Sequence, residues 1–551
     1  MCGFLIYINK NKKIDSDLFI KALDQLKHRG PDNERIFYNN SENNFKILNE
    51  SIKTNSNIFI GHKRLSIIDL SDRSIQPIYD DEQNTIFCYN GEIYNFKNFG
   101  ISQYEYSDTL TLEYLIKFRK LELFKKINGA WAFALFKKNT NKILLSRDRY
   151  GKKPLYYYIK NDTIIICSEI NPIFTILNSQ SLDVDNFGLG HYLLTKQTPF
   201  LNNGKTFYKD IKSILPGKIF ELDIYDLNLK EIFSDSFNYI NKFTDLKYNE
   251  TNKLINSLDN DINDAVESRL VSDVPIAVLT SGGVDSTAII SSLKNFENVK
   301  LIHCELYDNK KNIDNDTYFS KILAKHFKKE LITLNINSLS EDDFLSKSIN
   351  LIDHVSLPLN LHLATFPSYL ISEKLNNINY KVALEGTGGD ELMGGYQTFN
   401  KLLQASTYNL KLIRSLKIMK MWLEFDPKNK KQIIKFIVKY IFKSILRIKP
   451  TQNHDQLLKK LIKCGLQKKL LEEFNNYLKY YFNRSLIDEL IEMQIFEINN
   501  HQIPFYVGTS DTFNMINSVE TRLPFLDPVL QKYLYIKDSQ KFNKKYSKYL
   551  L

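Results

Sequence analysis

Residues Leu279 to Ser286 read LTSGGVDS. An apolar run stops at Thr280 and Ser281, two glycines follow, and a second apolar run begins beyond Ser286. Gly282 and Gly283 let backbone N–H groups approach a ligand closely, and a helix starting near Asp285 adds partial positive charge. Both favour a phosphate. A Walker A loop carries a lysine after its last glycine. Here that position is Val284. The loop therefore suits a departing pyrophosphate better than a transferred terminal phosphoryl group. The hydroxyls of Ser281 and Ser286 can donate to phosphate oxygens. Asp285 repels phosphate unless a cation lies between them, which implies Mg²⁺. A second acidic, glycine-rich turn, VALEGTGGDELMGGY from Val382 to Tyr396, follows another apolar run. Its Asp390 is a candidate second carboxylate for the same ion.

At the other end the chain begins MCGFLIYI. Removal of Met1 would expose Cys2, whose free α-amine, with a pKa of about 8, can take up the thiol proton. Nucleophile and base would then be one residue. The segments KHRGPD, HKRLSIIDL, YNGEIYN and SDT follow in order. Arg64 could bind a substrate carboxylate, and Asp108 a substrate ammonium. Asn90 and the Gly91 N–H could stabilise an oxyanion. An amino acid with a hydrolysable side-chain amide fits that charge pattern, which points to glutamine.

Two textures of sequence must position these groups. Up to about Leu201, short strand-like runs such as GFLIYI, TIFCYNGEIYNF and AWAFALF alternate imperfectly, as expected of sandwiched sheets. Helical patterns intervene near Ser16–Lys27 and Thr109–Phe118. From about Tyr248 helices alternate with PIAVLT, VKLIHCEL, ELITLNI and YKVALEG, which predicts a parallel, doubly wound sheet. Beyond Tyr396 the pattern is mostly helical. The chain has 551 residues, 43% hydrophobic and 13% aromatic, enough for sizeable cores. Its five cysteines show no CxxC or CxxH spacing, so neither a zinc site nor a disulfide framework is indicated, and a reducing cytoplasm fits. The first residues make a poor signal peptide, and no apolar run is long enough to span a membrane. The formal charge of +11 admits an anionic partner, but a Lys-, Ile- and Asn-rich composition also accounts for it, and no nucleic acid is expected.

The N-terminal half resembles class II glutamine amidotransferases, and the whole chain is similar to glutamine-hydrolysing asparagine synthetases of the bacterial B type. INGAWAFALF, SRDRYGKKPLYYY, CSEI, IKSILPGK and SVETRLPFLD extend the likeness. The resemblance implies an α+β N-terminal-nucleophile hydrolase sandwich (αββα) over 1–205, a connector over 206–247, and an α/β doubly wound ATP-pyrophosphatase-type domain over 248–551 with a mostly helical C-terminal part. It implies catalysis by Cys2, Asn90 and Gly91, and glutamine binding by Arg64, Asn90, Glu92 and Asp108. It places ATP on Thr280, Ser281, Gly282, Gly283, Val284, Asp285, Ser286, Cys304, Glu385 and Gly386, with Mg²⁺ on Asp285 and Asp390. Ammonia from a glutamyl thioester would cross an internal tunnel to displace AMP from an acyl-adenylate. A homodimer is among the assemblies it leaves open.

Three features depart from that pattern. The family's second loop usually reads Ser-Gly-Glu-Gly-Ser/Ala-Asp-Glu; here Glu385 replaces the serine and Thr387 the acidic residue. The acceptor segment is DHVSLPLN, Asp353 to Asn360, in which His354 is a candidate acceptor contact. The family usually continues past ETRLPFLD into a basic loop that gives a lysine to the pyrophosphate. This sequence ends at Leu551, so that lysine is expected to be absent or to lie beyond a fragment. Aspartate is thus the first expected acceptor, with a uronic acid or peptide carboxylate as the alternative and a non-synthetic glutaminase or scaffold as the third. The segment Lys431 to Pro450 places Lys or Arg every four residues. A basic stripe opposite a broad apolar face is expected there, suited to packing on the synthetase core or to lying on an anionic membrane.

Overall fold

The computed structural model describes residues 2–551 apart from 43, 50–51, 102–103, 105, 119, 179–182, 187, 190–191, 193–203, 236–250, 294–295, 306–313, 356–364, 396–397, 426–429, 446–488 and 537–550. Two antiparallel sheets form the first domain. One has seven strands in the order Ile211–Ser213, Tyr156–Lys160, Thr163–Cys167, Gly3–Asn9, Ile58–Arg64, Asn33–Asn39 and Phe45–Ile47. The other has six: Asn228–Ser234, Lys218–Asp223, Lys142–Arg147, Gly129–Lys137, Thr85–Ile93 and Ile78–Asp80. Alternation decides the layers. Phe4, Ile6 and Ile8 face Ile86, Cys88, Ala134 and Phe136 between the sheets. Leu5 and Tyr7 point the other way, under Phe19 and Leu23 of the helix Ser16–Asp24. On the far side Phe87, Tyr89 and Phe133 pack beneath Leu112 and Leu115 of the helix Asp108–Lys117. Helices, sheet, sheet and helix thus stack as four layers.

The expected connector over 206–247 is corrected in its first part. Ile211–Ser213 pairs with Tyr156–Lys160, and Lys218–Asp223 pairs with Lys142–Arg147, so these residues complete both sheets of the sandwich. Residues 236–247 of that stretch lie outside the described residues.

The second domain is built on a five-stranded parallel sheet, Leu331–Asn335, Lys300–Glu305, Ile276–Leu279, Val382–Leu384 and Glu520–Arg522. Its central strands Ile276–Leu279 and Val382–Leu384 are short and apolar because helices cover both faces. The chain winds outward from Ile276–Leu279 in both directions, so the sheet reverses order beside that strand. The loops after Leu279 and Leu384 leave adjacent strands at this switch point, where doubly wound sheets hold ligands. Helices Thr398–Tyr408, Leu412–Phe425, Lys430–Ile445, Leu490–Asn500 and Gln502–Met515 follow.

The helix Lys430–Ile445 carries apolar side chains on the same face as its lysines. Ile433 is buried, but Ile434, Val438, Ile441 and Phe442 are exposed alongside Lys431, Lys435 and Lys439. Among the described side chains, apolar and basic residues share the outward face, so that face is mixed rather than purely basic. The part of the segment beyond 445 lies outside the described residues.

Candidate active site

Cys2 sits where the two sheets of the sandwich meet. Its backbone N–H donates to Oδ1 of Asn90 at 2.9 Å, and its carbonyl accepts from Nε of Arg29 at 3.1 Å. Its thiol lies 4.0 Å from the Leu65 carbonyl. Burial raises the thiol above its ordinary value, which makes a neighbouring base necessary. Asn90 spends its oxygen on the Cys2 nitrogen and leaves Nδ2 buried with no hydrogen-bond partner. An unmatched buried donor beside a nucleophile is what an oxyanion needs. Gly91 follows on the same strand. A Cβ there would collide with the Ala130 carbonyl of the neighbouring strand, so only glycine fits.

The charged groups expected around glutamine are all buried here, with different commitments. Asp108 begins its helix, capped by Ser107, and its Oδ2 accepts from the Tyr89 hydroxyl and the Ile93 N–H, both at 3.0 Å. Burial pushes its carboxyl up to about 6. Glu92 is held well above the carboxylate range by burial and by the charges of Asp108 and Glu520. Both groups gain from a cation between them, as a substrate ammonium would provide. Arg64, expected on a substrate carboxylate, donates to the carbonyls of Ser71 at 2.9 Å, Ile68 at 3.5 Å and Asp69. In this arrangement it braces the 68–71 turn. His62 is kept neutral by burial, its value lowered to about 3, and bonds the Tyr89 carbonyl at 3.0 Å.

In the second domain Gly283 caps the helix Val284–Ser291, and Gly282 adopts φ +68. A side chain at Gly282 would strike Phe319 and the Asp316 carbonyl. Ser281 and Ser286 lie within 3.4 Å of each other, and the Ser286 hydroxyl donates to the Gly283 carbonyl at 3.1 Å. His303, not singled out from sequence, braces the loop by bonding the Thr280 carbonyl at 2.7 Å and Thr317 at 2.8 Å.

A cavity of about 420 Å³ opens over the two loops, with Ser281, Glu385, Gly386, Thr387, Asp390 and Ser510 in its wall. Of the residues expected on ATP, Ser281, Glu385 and Gly386 line it. Thr280, Gly282, Gly283, Val284, Asp285 and Ser286 belong to the loop and helix start beside it. Cys304 packs instead among Ile302, Ile371 and Leu375, and burial raises its thiol to about 11. His354 lies away from the cavity, edge-on to His28 with ring centroids 5.2 Å apart.

The residues present suit a divalent cation. Gly389 abuts the Asp285 carboxylate so closely that a Cβ would collide with it. Glu391 is pushed up to about 8 by burial and then by the charges of Asp390, Glu497 and Asp285. So many carboxylates in one place call for positive charge. Among the described residues no three such groups form a ready cage.

A chain of contacts joins the two sites. Arg29 donates to the Cys2 carbonyl and, through Nη2, to Asp511 at 2.9 Å. The neighbouring Ser510 donates to Oε2 of Glu385 at 2.8 Å. Arg29 is also paired with Glu169 at 2.9 Å. Nothing local in the sequence marks Arg29, Ser510 and Asp511 as neighbours; KHRGPD offered only a likeness.

Residues 1–232 match the family described as glutamine amidotransferase domain, and residues 257–551 match asparagine synthase. This chain belongs to the glutamine-hydrolysing asparagine synthetase family. As a member it is a glutamine-hydrolysing ligase. It is 27% identical to asparagine synthetase [glutamine-hydrolyzing] 1 of Bacillus subtilis, over 96% of this chain and 80% of that one. It is 25% identical to asparagine synthetase B of Escherichia coli, over 72% and 64% respectively. A third relative, Amidase chyE of Penicillium rubens, is 23% identical over 95% of this chain and 80% of its own. Within this asparagine synthetase family member, the match to the amidotransferase family runs through the strands at 211–223, in keeping with their place in the sandwich.

Proposed function

We propose that this protein uses ATP and glutamine to convert a carboxylate to its amide, with aspartate as the first candidate acceptor. The observation that carries this reading is the buried link from Cys2 through Arg29 and Asp511 to Ser510 and Glu385 at the cavity. One site releases ammonia and the other consumes it.

The Cys2 thiol attacks the side-chain amide carbon of glutamine, and its proton passes to the α-amine freed by loss of Met1. Asn90 Nδ2 and the Gly91 N–H receive the developing oxyanion. As that intermediate collapses the α-ammonium passes the proton to the amide nitrogen, the C–N bond breaks and ammonia leaves; water later cleaves the thioester to glutamate and the free thiol. Asp108 and Glu92 receive the substrate ammonium. In the second domain the acceptor carboxylate attacks the α-phosphorus of ATP, giving an acyl-adenylate and pyrophosphate. Ser281, Ser286 and the 282–283 backbone hold the phosphates. Asp285 and Asp390 would hold Mg²⁺, which when bound neutralises charge on the leaving pyrophosphate. Ammonia then displaces AMP. A path closed to water keeps ammonia from being protonated.

A second reading keeps the chemistry and changes the acceptor to another carboxylate, such as a uronic acid or peptide. It is favoured by the carboxylate at Glu385 and the hydroxyl at Thr387 in the cavity wall. The outward apolar and basic residues of Lys430–Ile445 suit a lipid-linked form of such an acceptor. Glutamine-dependent pyrophosphate release decides between the two. Aspartate giving the highest kcat/KM in a panel of carboxylates supports the first reading, and turnover only with another acceptor supports the second. No glutamine-dependent pyrophosphate from any acceptor overturns both.

A further inference from the structure

The strand Glu520–Arg522 lies beside Val382–Leu384 in the parallel sheet. The Arg522 carbonyl accepts from the Glu385 N–H at 3.0 Å, which ties its backbone to the first residue of the cavity loop. Its guanidinium points the other way. Nε donates to Glu520 at 2.7 Å, and Nη1 donates to the carbonyls of Arg269 at 2.8 Å and Val271 at 2.7 Å. Nη2 stands 3.9 Å from Oε1 of Glu92, in the first domain.

Neither Nη2 of Arg522 nor Oε2 of Glu92 has a hydrogen-bond partner, although their side chains are only 0% and 6% exposed. Glu520 is already engaged by Arg522 and by Lys153 at 3.5 Å. Glu92 thus keeps the spare acceptor capacity at the domain boundary. It adjoins Gly91 on the strand that carries the candidate oxyanion donors. A buried carboxylate with one oxygen facing a fixed guanidinium and the other unmatched is oriented for a second cation.

We propose that Arg522 of the synthetase domain is a positioning residue of the glutaminase site, aligning Glu92 so that its second oxygen receives the ammonium of glutamine. The amino-acid site is then completed across the domain boundary by the arginine whose backbone anchors the cavity loop. This rests on reading Glu92 as an ammonium ligand.

The test compares Arg522→Met in the wild-type and Glu92→Gln backgrounds of the full chain, following glutamine hydrolysis and ammonia-dependent pyrophosphate release. Arg522→Met is expected to raise the glutamine KM roughly tenfold with kcat changed less than about twofold, and to add less than about twofold to KM once Glu92 is Gln. An equal KM increase in both backgrounds, or a fall in kcat at constant KM, makes the arginine merely structural and overturns the proposal. If Arg522→Met does not fold, Arg522→Lys serves in the same comparison, since it keeps the charge and loses the reach of Nη2. An unchanged glutamine KM in Glu92→Gln alone overturns the ammonium reading and this proposal with it. An unchanged KM in Arg522→Met beside a raised one in Glu92→Gln overturns only the proposal.

Discussion

Thr387 donates its hydroxyl to the carboxylate of Glu385, two residues back on the same loop. Ser510 donates to the other oxygen at 2.8 Å. Burial raises this acid, and the two hydroxyl bonds pull it back. The cavity therefore keeps a carboxylate although position 387 carries a threonine. A carboxylate held only by neutral donors can take the proton that ammonia sheds as it attacks the activated carboxyl. Glu385→Gln is expected to lower amide formation by roughly 10²-fold or more and to spare glutamine hydrolysis. Undiminished amide formation would remove Glu385 from the chemistry.

The donor site makes a separate expectation. Cys2→Ala should abolish glutamine hydrolysis and leave ammonia-dependent synthesis intact, because the two sites lie on different domains. Asn90→Ala should cost roughly 10²- to 10³-fold in hydrolysis kcat, the usual loss for one oxyanion donor. A well-folded Cys2→Ala protein that had also lost the ammonia-dependent reaction would contradict the two-site account.

How much of this was readable in the sequence depends on distance along the chain. Cys2, Asn90 and Gly91, and the 280–286 loop, announce themselves because residue type and local spacing fix their chemistry. Gly91 and Gly389 are dictated by close approaches that sequence can only hint at. Arg29 and Asp511, or Arg522 and Glu92, are brought together by the docking of two domains, and no periodicity reports that. The strands at 211–234 read as a connector in the sequence because they are short and mixed in polarity. Ile211–Ser213 and Lys218–Asp223 pair with strands far earlier in the chain, Tyr156–Lys160 and Lys142–Arg147, and that pairing supplies the order their own sequence lacks.

Asp108 gives a pH dependence. Its carboxyl is raised from the ordinary value to about 6 by burial. Binding an ammonium requires the ionised form, so kcat/KM for glutamine should fall as pH drops through about 6. The free protein behaves oppositely in stability. A folded-state value above the unfolded one means this group's contribution is most favourable below the unfolded value and is lost as pH rises through about 6. Asp108→Asn should flatten the acid limb while raising the glutamine KM. A limb unchanged in that variant would assign it to another group.

The phosphate loop can be tested through charge alone. Asp285→Asn preserves shape beside Gly389 and removes a candidate Mg²⁺ ligand. Pyrophosphate release should fall by roughly 10²-fold or more, with partial recovery at raised Mg²⁺, and glutamine hydrolysis should persist. Full ATP dependence at ordinary Mg²⁺ in this variant would make Asp285 structural.

The helix Lys430–Ile445 carries the last prediction. Ile434, Val438 and Phe442 are 52%, 61% and 62% exposed, with Lys435 and Lys439 on the same outward face. Apolar side chains flanked by lysines match the boundary of an anionic bilayer, where the first enter the acyl region and the second meet headgroups. Among the described residues no helix is long and apolar enough to cross a membrane. The full chain should co-sediment with phosphatidylserine vesicles at low ionic strength and be released by salt. Lys435→Glu together with Lys439→Glu should abolish the effect, and Val438→Ser with Phe442→Ser should weaken it without changing its salt dependence. Protein that stays in the supernatant with such vesicles would end the membrane reading and return weight to free aspartate as the acceptor.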